Sequence, residues 1–372
     1  MLIENRLIAY TLLALLVALV VSFLMTPIVK TFAYKVGAID VPKDARRMHK
    51  VPIPRLGGLA IFIGFMVSIL LFVEITGEMR SILLGAVIIV VLGVVDDIMA
   101  LPALLKFVVQ IVAALIPALN GVTIQAFSNP NIFSDNAYWV LGNLSIPLTV
   151  LWIVAITNSV NLIDGLDGLA AGIAAIASFF LFLIAFGRGL EETAMLSIIL
   201  LGATLAFLRY NFAPASIFMG DSGSLLLGAM IGVISLMGVM RSPTVIVLAV
   251  PLVIAAIPIA DTAAAIIRRL YHHQPIQQAD RKHLHHMLLR KGYGVRKSVV
   301  IVYAWTALLG VGAWVMSNSH GIAVWAMIAI MLLGSFLILW RLGIFDQVLR
   351  HHYHGRHTRQ EDKPRWYGRH GR

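Results

Sequence analysis

Two short acidic segments carry the residue types best suited to chemistry in this chain. Asp96 and Asp97 close an apolar run that reads LGVVDD. Later, NSVNLIDGLDG brings Asn161, Asp164 and Asp167 within seven residues, and carboxylates three residues apart share one face of a helix. Carboxylates supply the hard oxygen ligands that Mg²⁺ prefers. The two segments therefore predict a site for a divalent cation and phosphate.

A third acidic segment, FMGDSGS, places Asp221 among glycines and hydroxyls directly before another apolar run. Backbone N–H groups at a helix start bind phosphate, and a cation held by Asp221 would favour phosphate nearby. The alternative is that Asp221 or Ser222 is a helix N-cap, and the two interpretations are compatible. The alternative for Asp96 and Asp97 is a solvated carboxylate pair at the end of a helix.

Two basic segments offer groups that suit a diphosphate. The first reads RKHLHH and can contact phosphate or bind a transition metal. Its histidines are His283, His285 and His286. The second runs from Asp40 to Gly58, contains His49 and Arg55, and ends in PIPRLGG. Attraction to anionic lipid is the simplest alternative for this second segment, although its ending is more structured than lipid attraction requires.

The composition defines the environment of these segments. Of 372 residues, 59% are hydrophobic and 13% are charged, and mean hydropathy is +0.89, whereas soluble domains are about 45–50% apolar and about 25% charged. The apolar runs do not alternate with period two, which argues against a membrane β-barrel. No cysteine is present, so disulfides and thiol chemistry are excluded. The net charge of +11 favours basic cytoplasmic loops over nucleic-acid binding.

The apolar runs predict an all-α, polytopic membrane protein with about eleven transmembrane helices. The predicted spans are 7–29, 56–75, 81–95, 107–119, 146–160, 169–187, 193–208, 225–240, 244–267, 298–316 and 321–341. Pro251 and Pro258 should kink or break the ninth helix. Asp261, which follows them, either pairs with the Arg268–Arg269 cluster or belongs to the site.

The distribution of basic residues predicts the orientation. With the N-terminus outside and the C-terminus in the cytoplasm, 25 of the 29 Lys and Arg residues fall on the inner side, as the positive-inside rule requires. All three acidic segments then lie at the cytoplasmic face. The outer connection 120–145 is predicted to be a small surface hairpin. Residues 1–349 are expected to form one transmembrane domain that contains the site, and residues 350–372 are expected to form a basic, disordered cytoplasmic tail.

The chain resembles the polyprenyl-phosphate N-acetylhexosamine-1-phosphate transferases through five motifs that cover most of its length in the family's order. The motifs are PRLGG (54–58), VVDD (94–97), NSVNLIDGLDG (158–168), NFAPASIFMGDSGS (211–224) and HLHH (283–286). The resemblance implies transfer of N-acetylhexosamine 1-phosphate from a UDP-sugar to undecaprenyl phosphate, with release of UMP. It places the protein in the bacterial inner membrane, with its active site facing the cytoplasm.

The resemblance also implies roles for individual residues. Asp221 matches the ligand of Mg²⁺, with Mn²⁺ as the alternative ion, and Asp164 is a second predicted ligand. Asp96 matches the acid that deprotonates or orients the lipid phosphate, and Asp97 supports it or the metal. Asp164 and Asp167 match the acidic pair beside the metal and the uridine diphosphate. The predicted substrate contacts are Asn161, Asn211, Phe218, Arg55 and His49, and the histidine cluster His283, His285 and His286 is expected to meet the diphosphate or the sugar.

The donor and the function class each have an alternative. HLHH after ADRK resembles the GlcNAc-1-phosphate branch, so UDP-GlcNAc is the expected donor and phospho-MurNAc-pentapeptide transfer is the alternative. A secondary transporter is the non-enzyme alternative, because broken helices and buried acids occur there too, but it predicts polar residues near the bilayer midplane. An intramembrane metalloprotease would need HExxH, which is absent. The expected partners are a UDP-N-acetylhexosamine, undecaprenyl phosphate and membrane lipid, without nucleic acid, and a homodimer stays open.

Overall fold

The computed structural model of the chain describes residues 2–41, 51–128, 138–241, 288, 292–319 and 322–341. Within these ranges the chain is mostly α-helical, as its apolar runs predict. The helices are α1 Leu2–Val36, α2 Gly57–Phe72, α3 Gly77–Met99, α4 Ala103–Leu119, α5 Ser145–Ile163, α6 Leu169–Gly187, α7 Glu191–Asn211, α8 Gly220–Arg241, α9 Val295–Ser317 and α10 Ile322–Arg341. A 3₁₀ turn, Gly142–Leu144, leads into α5.

Ten of the eleven predicted spans coincide with these helices, and seven described helices are long and apolar enough to cross a membrane. These helices confirm a multi-pass, helical membrane protein. The exact number of spans and their orientation stay predictions. The ninth predicted span (244–267), with Pro251, Pro258 and Asp261, lies outside the described residues, as does the tail from residue 350.

Several helices continue beyond the predicted spans at the ends that carry polar residues. α3 continues to Met99, so Asp96 and Asp97 lie within it. α5 continues to Ile163, and α8 begins at Gly220. The predicted spans stop too early because polar side chains are expected to lie outside hydrocarbon, whereas the carboxylates of α3 are buried among protein partners that satisfy them.

Two short antiparallel ribbons accompany the helices. β3, Ala126–Ser128, pairs with β4, Tyr138–Val140, so the connection between α4 and α5 contains the predicted hairpin. β1, Ile39–Asp40, pairs with β2, Ile53–Pro54, and this ribbon was not predicted. It brings the two ends of the basic segment 40–58 together and fixes where the PRLGG motif enters α2.

α8 is the helix around which the site is built, because it packs against α2, α3, α5, α6 and α7. Small residues bring the helix backbones close together at its N-terminus. A Cβ added to Gly58 of α2 would overlap the backbone of Gly223, and one added to Gly93 of α3 would overlap the backbone of Ser222. The start of α8 is therefore in backbone contact with two other helices.

The PRLGG motif pairs directly with the segment that leads into α8. The N–H of Phe218 donates to the carbonyl of Pro54 at 2.8 Å. The N–H groups of Gly57 and Gly58 donate to the carbonyls of Phe218 and Met219 at 3.0 and 2.9 Å. These bonds satisfy two first-turn N–H groups of α2, which have no partner inside the helix. Backbone hydrogen bonds thus join two motifs that are far apart in the sequence.

Replacing Gly93 by Ala should disturb this contact, because the added methyl group meets backbone atoms of α8 rather than a flexible side chain. We expect a loss of about 1–3 kcal/mol in the free energy of unfolding, the usual cost of overpacking. Thermal unfolding in detergent measures the change. Gly334→Ala in α10, where a Cβ meets nothing within 4 Å, is the matched control. Equal unfolding temperatures for the two variants would contradict the close helix contact.

Candidate active site

The motif residues converge on one cavity of about 1050 Å³, formed by the first ribbon, the end of α5, the loops beside it, and the starts of α8 and α9. Eight predicted site residues line it. They are Arg55, Asp97, Asn161, Asp164, Asp167, Asn211, Phe218 and Asp221. Asp96 lies beside this group. Four other predicted site residues fall outside the described part of the chain, namely His49, His283, His285 and His286.

A lysine from α4 lies between two of the acids. Lys106 Nζ is 3.1 Å from Asp96 Oδ2 and 3.1 Å from Asp221 Oδ2. The other oxygen of Asp96 accepts the N–H of Leu101 at 2.7 Å. A tight turn between α3 and α4 brings the acid and the lysine together. Lys106 thus forms salt bridges with two carboxylates that belong to different helices and come from distant parts of the sequence.

Asn161 of α5 fixes the second oxygen of Asp221. Its amide Nδ2 donates to Asp221 Oδ1 at 3.1 Å and to Ser224 Oγ at 2.8 Å. The Asp221 carboxylate is therefore held between Lys106 on one side and Asn161 on the other.

The carboxylate of Asp97 does not share the lysine partner of Asp96 and instead contacts the start of α8. Its Oδ1 accepts the N–H of Asp221 at 2.9 Å, and its Oδ2 accepts the N–H of Ser222 at 3.1 Å. Arg55 Nε donates to the backbone carbonyl of Asp97 at 3.2 Å and lies 3.7 Å from its Oδ1. Although Asp96 and Asp97 are adjacent in sequence, they have different partners.

The loops that follow α5 and α7 form one wall of the cavity. Asp167 Oδ2 accepts the N–H of Ala215 at 2.9 Å. Asn211 Oδ1 accepts the N–H of Gly168, and Asn211 Nδ2 donates to the carbonyl of Ile217, at 3.1 and 3.0 Å. Asn211 is predicted from sequence to contact substrate, yet it is only 2% exposed and both ends of its amide bond protein atoms. Its observed contacts hold the wall together.

The N-terminal part of α9 is hydrogen-bonded to the same wall of the cavity. Arg296 Nε donates to the carbonyl of Ala213 at 2.8 Å, and the Tyr303 hydroxyl donates to the carbonyl of Gly168. The absence of a side chain at Gly172 leaves room for the ring of Tyr303.

The sequence did not single out three residues that the structure places in or beside the site: Lys106, Arg296 and Tyr303. The sequence around Lys106 does contain a feature that could have identified this residue. It is the single cation of the apolar helix α4, and Gln110 lies one turn further on the same face. Arg296 and Tyr303 carry no comparable signal, because their partners are backbone carbonyls of distant loops.

Asp164 lies in the loop after α5, in a strongly acidic environment. Burial raises its pKa from 3.8 to about 8, and the negative charges of Asp221, Asp97 and Asp167 act in the same direction. Such crowding of carboxylates is relieved by a divalent cation with oxygen ligands, and Mg²⁺ commonly uses one or two protein carboxylates together with substrate phosphates and water. Among the described residues, no three acidic or histidine side chains are grouped as a complete metal site.

A second cavity, of about 520 Å³, lies on the other side of Asp221. Its lining combines apolar and polar residues of α4, α5 and α8. They are Ala103, Leu104, Lys106, Phe107, Gln110, Asn158, Asn161, Asp221 and Leu225. Asn158 Nδ2 donates to Gln110 Oε1 at 2.5 Å. Asn161 and Asp221 line both cavities, so the two spaces share one polar boundary.

The fold and the site define a multi-pass membrane protein with an acidic cavity between helix ends. Residues 79–239 match the family model described as glycosyl transferase family 4. The chain is 40% identical over 339 residues to a probable undecaprenyl-phosphate N-acetylglucosaminyl 1-phosphate transferase of Bacillus subtilis, covering 90% of each chain. It is 35% identical to a decaprenyl-phosphate N-acetylglucosaminephosphotransferase of Mycolicibacterium smegmatis, covering 80% of each.

A more distant relative is the phospho-N-acetylmuramoyl-pentapeptide-transferase of Clostridium botulinum, which is 32% identical over 68% of this chain and 80% of its own length. The chain therefore belongs to glycosyl transferase family 4, a family of enzymes. The resemblance of its motifs to sugar-phosphate transferases is thereby confirmed.

Replacing Lys106 by Met should leave Asp96 and Asp221 without their shared counter-charge. We expect a clear loss of stability, of about 3 kcal/mol, because breaking a largely buried ion pair strands the remaining charges. Thermal unfolding in detergent at pH 8 measures the loss. Lys297→Met, which removes an exposed lysine lying 5.0 Å from the centre of the Tyr293 ring, should change stability by less than about 1 kcal/mol. If Lys106→Met unfolds at the wild-type temperature, Lys106 does not neutralise these acids.

Asp164 should make the metal-free protein less stable as pH rises. Because its pKa is raised in the folded state, the native protein binds more protons than the unfolded chain between pH 3.8 and about 8, and stability falls across that range. Asp164→Asn should remove this dependence, so its advantage in unfolding temperature over wild type should grow from pH 5 to pH 8. Glu74→Gln, at an exposed acid, is the control. An advantage that does not change with pH would contradict the crowding of acids around Asp164.

Proposed function

We propose that this protein transfers N-acetylglucosamine 1-phosphate from UDP-N-acetylglucosamine to undecaprenyl phosphate, as the first membrane step of cell-envelope polysaccharide synthesis. The observation that carries the proposal is the polar boundary between two cavities. Both cavities have apolar as well as polar lining residues, but the larger one is lined by five aspartates and two arginines, whereas the charged residues lining the smaller one are Lys106 and Asp221. This arrangement suits a reaction between a water-soluble diphosphate and a lipid phosphate.

The reaction replaces one diphosphate by another. An oxygen of the lipid phosphate attacks the phosphorus that carries the sugar, and a new P–O–P bridge forms. The P–O bond to the uridine side breaks, and UMP leaves with the former bridging oxygen. The products are UMP and undecaprenyl-diphospho-N-acetylglucosamine. We favour direct attack over a covalent aspartyl intermediate, because the lipid phosphate is already a competent nucleophile.

Catalysis of this kind depends mainly on positioning and on charge neutralisation. Lys106 lines the smaller cavity and bonds Asp221, and in our proposal it receives the lipid phosphate. Asp96, which is bonded to Lys106, orients that phosphate or accepts its proton. On the donor side, Arg55 and Arg296 line the larger cavity and are suited to the diphosphate. We propose the same contact for the histidine cluster His283, His285 and His286.

Asp221 and Asp164 are the residues that would hold Mg²⁺, with Mn²⁺ as the alternative. Hard oxygen donors and the negative charge crowded around Asp164 fit such an ion. When bound, the ion would neutralise the charge of the diphosphate. Asn161, which holds Asp221 by a hydrogen bond, keeps that carboxylate turned toward the boundary of the cavities.

The comparisons support N-acetylglucosamine as the sugar. Relatives that are 40% and 35% identical carry N-acetylglucosamine in their names and cover at least 80% of this chain. The relative named for the muramoyl-pentapeptide sugar covers 68% of the chain at 32% identity. We further propose that the protein lies in the bacterial inner membrane, with its N-terminus outside and the active site open to the cytoplasm, where nucleotide sugars are made available.

A donor screen tests this function. Purified protein, undecaprenyl phosphate and Mg²⁺ are combined with UDP-GlcNAc, UDP-GalNAc or UDP-MurNAc-pentapeptide, and released UMP is measured. We expect UMP with UDP-GlcNAc, none without Mg²⁺, and a loss of at least 100-fold in Asp221→Asn, as expected when a group that stabilises charge is removed. Glu74→Gln, an acid-to-amide change at an exposed residue outside both cavities, is the matched control. UMP release from none of the three donors would refute the proposed function.

A further inference from the structure

Asp97 acts on the start of a helix other than its own. Its two carboxylate oxygens accept the N–H groups of Asp221 and Ser222 in the first turn of α8, at 2.9 and 3.1 Å. First-turn N–H groups have no partner within their helix, and a carboxylate there is also favoured by the helix dipole. Asp97 therefore caps α8 from α3.

The surrounding backbone is shaped to admit this cap. Gly220, the first residue of α8, has a φ of +72°, and a Cβ there would overlap the carboxylate of Asp97. One turn before Asp97, Gly93 allows α3 to touch the backbone of Ser222. Asp97 itself is only 4% exposed. Three positions in two helices thus accommodate a carboxylate directed at the start of α8.

The contacts of Asp97 and Asp96 divide the acidic pair into two roles. Both oxygens of Asp97 are bonded to backbone N–H groups, and Arg55 lies 3.7 Å from its Oδ1. Asp96 instead bonds Lys106, which lines the smaller cavity. The backbone N–H of Asp221, the expected metal ligand, donates to the carboxylate of Asp97. The position of the Asp221 side chain therefore depends on the cap.

We propose that Asp97 is a positioning residue, which sets the place of the Asp221 carboxylate by capping α8, and that it takes no part in proton transfer or metal ligation. This inference deepens the proposed function and rests on it. It separates the roles of two adjacent acids, since Asp96 bonds the side chain of Lys106 whereas both oxygens of Asp97 bond backbone N–H groups of α8.

Substitution by Asn and by Ala distinguishes a cap from a chemical group. Asn caps a helix nearly as well as Asp, whereas Ala does not. Asn cannot act as an ionised base, so Asn and Ala are equally poor in that role, and Asn is a weaker ligand of Mg²⁺ than a carboxylate. Because one amide oxygen replaces two acceptors, we expect Asp97→Asn to lower kcat by roughly tenfold and Asp97→Ala by roughly 100-fold or more. At Asp96, Asn and Ala should lower kcat to the same level.

Two further measurements complete the experiment. The dependence of kcat on pH in Asp97→Asn should show the same rising and falling limbs as in wild type. Mn²⁺ affinity, followed by electron paramagnetic resonance without substrates, should fall in the order wild type, Asn, Ala. Equal loss of activity and of Mn²⁺ affinity in the Asn and Ala variants, or a lost limb in the pH profile of Asp97→Asn, would overturn the proposal.

Thermal unfolding identifies variants that do not fold. If Asp97→Ala does not fold, the Asn variants decide: kcat of Asp97→Asn well above that of Asp96→Asn supports the cap, and equal values overturn it. UMP release by the wild-type protein distinguishes failure of the role of Asp97 from failure of the proposed function. If wild type releases no UMP, the proposed function fails, and the role of Asp97 is judged on Mn²⁺ affinity alone.

Discussion

A helix that begins inside a membrane protein must have its first N–H groups satisfied, because hydrocarbon offers no hydrogen-bond partner. α8 begins at Gly220, surrounded by other helices, and the site depends on how this start is satisfied. Asp97 supplies two acceptors, and Gly93 and Gly58 let α3 and α2 approach within backbone contact. Because Asp221 is the second residue of α8, its carboxylate is placed by the same contacts.

The second constraint is the accumulation of negative charge. Asp96, Asp97, Asp164 and Asp221 lie close together in a poorly solvated environment, and the structure meets this charge in different ways. Lys106 forms salt bridges with two of the acids, backbone N–H groups donate hydrogen bonds to Asp97, and the pKa of Asp164 is raised to about 8. This negative charge favours a cation, and in our proposal a divalent cation in the larger cavity allows the diphosphate to bind there.

Much of the fold follows from the sequence, because the demand for apolar helices in a bilayer is local and leaves long apolar runs. The cavity was also predictable in outline, since orientation placed the three acidic segments on one side. The partners of single residues were not predictable. Lys106 bonds Asp221, which is 115 positions away in the sequence, and both ends of the Asn211 amide bond neighbouring loops. Such contacts depend on how helices pack, which no local pattern encodes.

From the shared boundary of the two cavities we infer that the UDP-sugar and the lipid phosphate are bound together and react directly beside Lys106 and Asp221. Exchange of labelled UMP into UDP-GlcNAc, with and without undecaprenyl phosphate, tests it most directly. Direct transfer predicts exchange only when the lipid, or its diphospho-sugar product, is present. Exchange by the purified, lipid-free enzyme would reveal a sugar-phosphate held covalently by the protein and would rule out direct transfer.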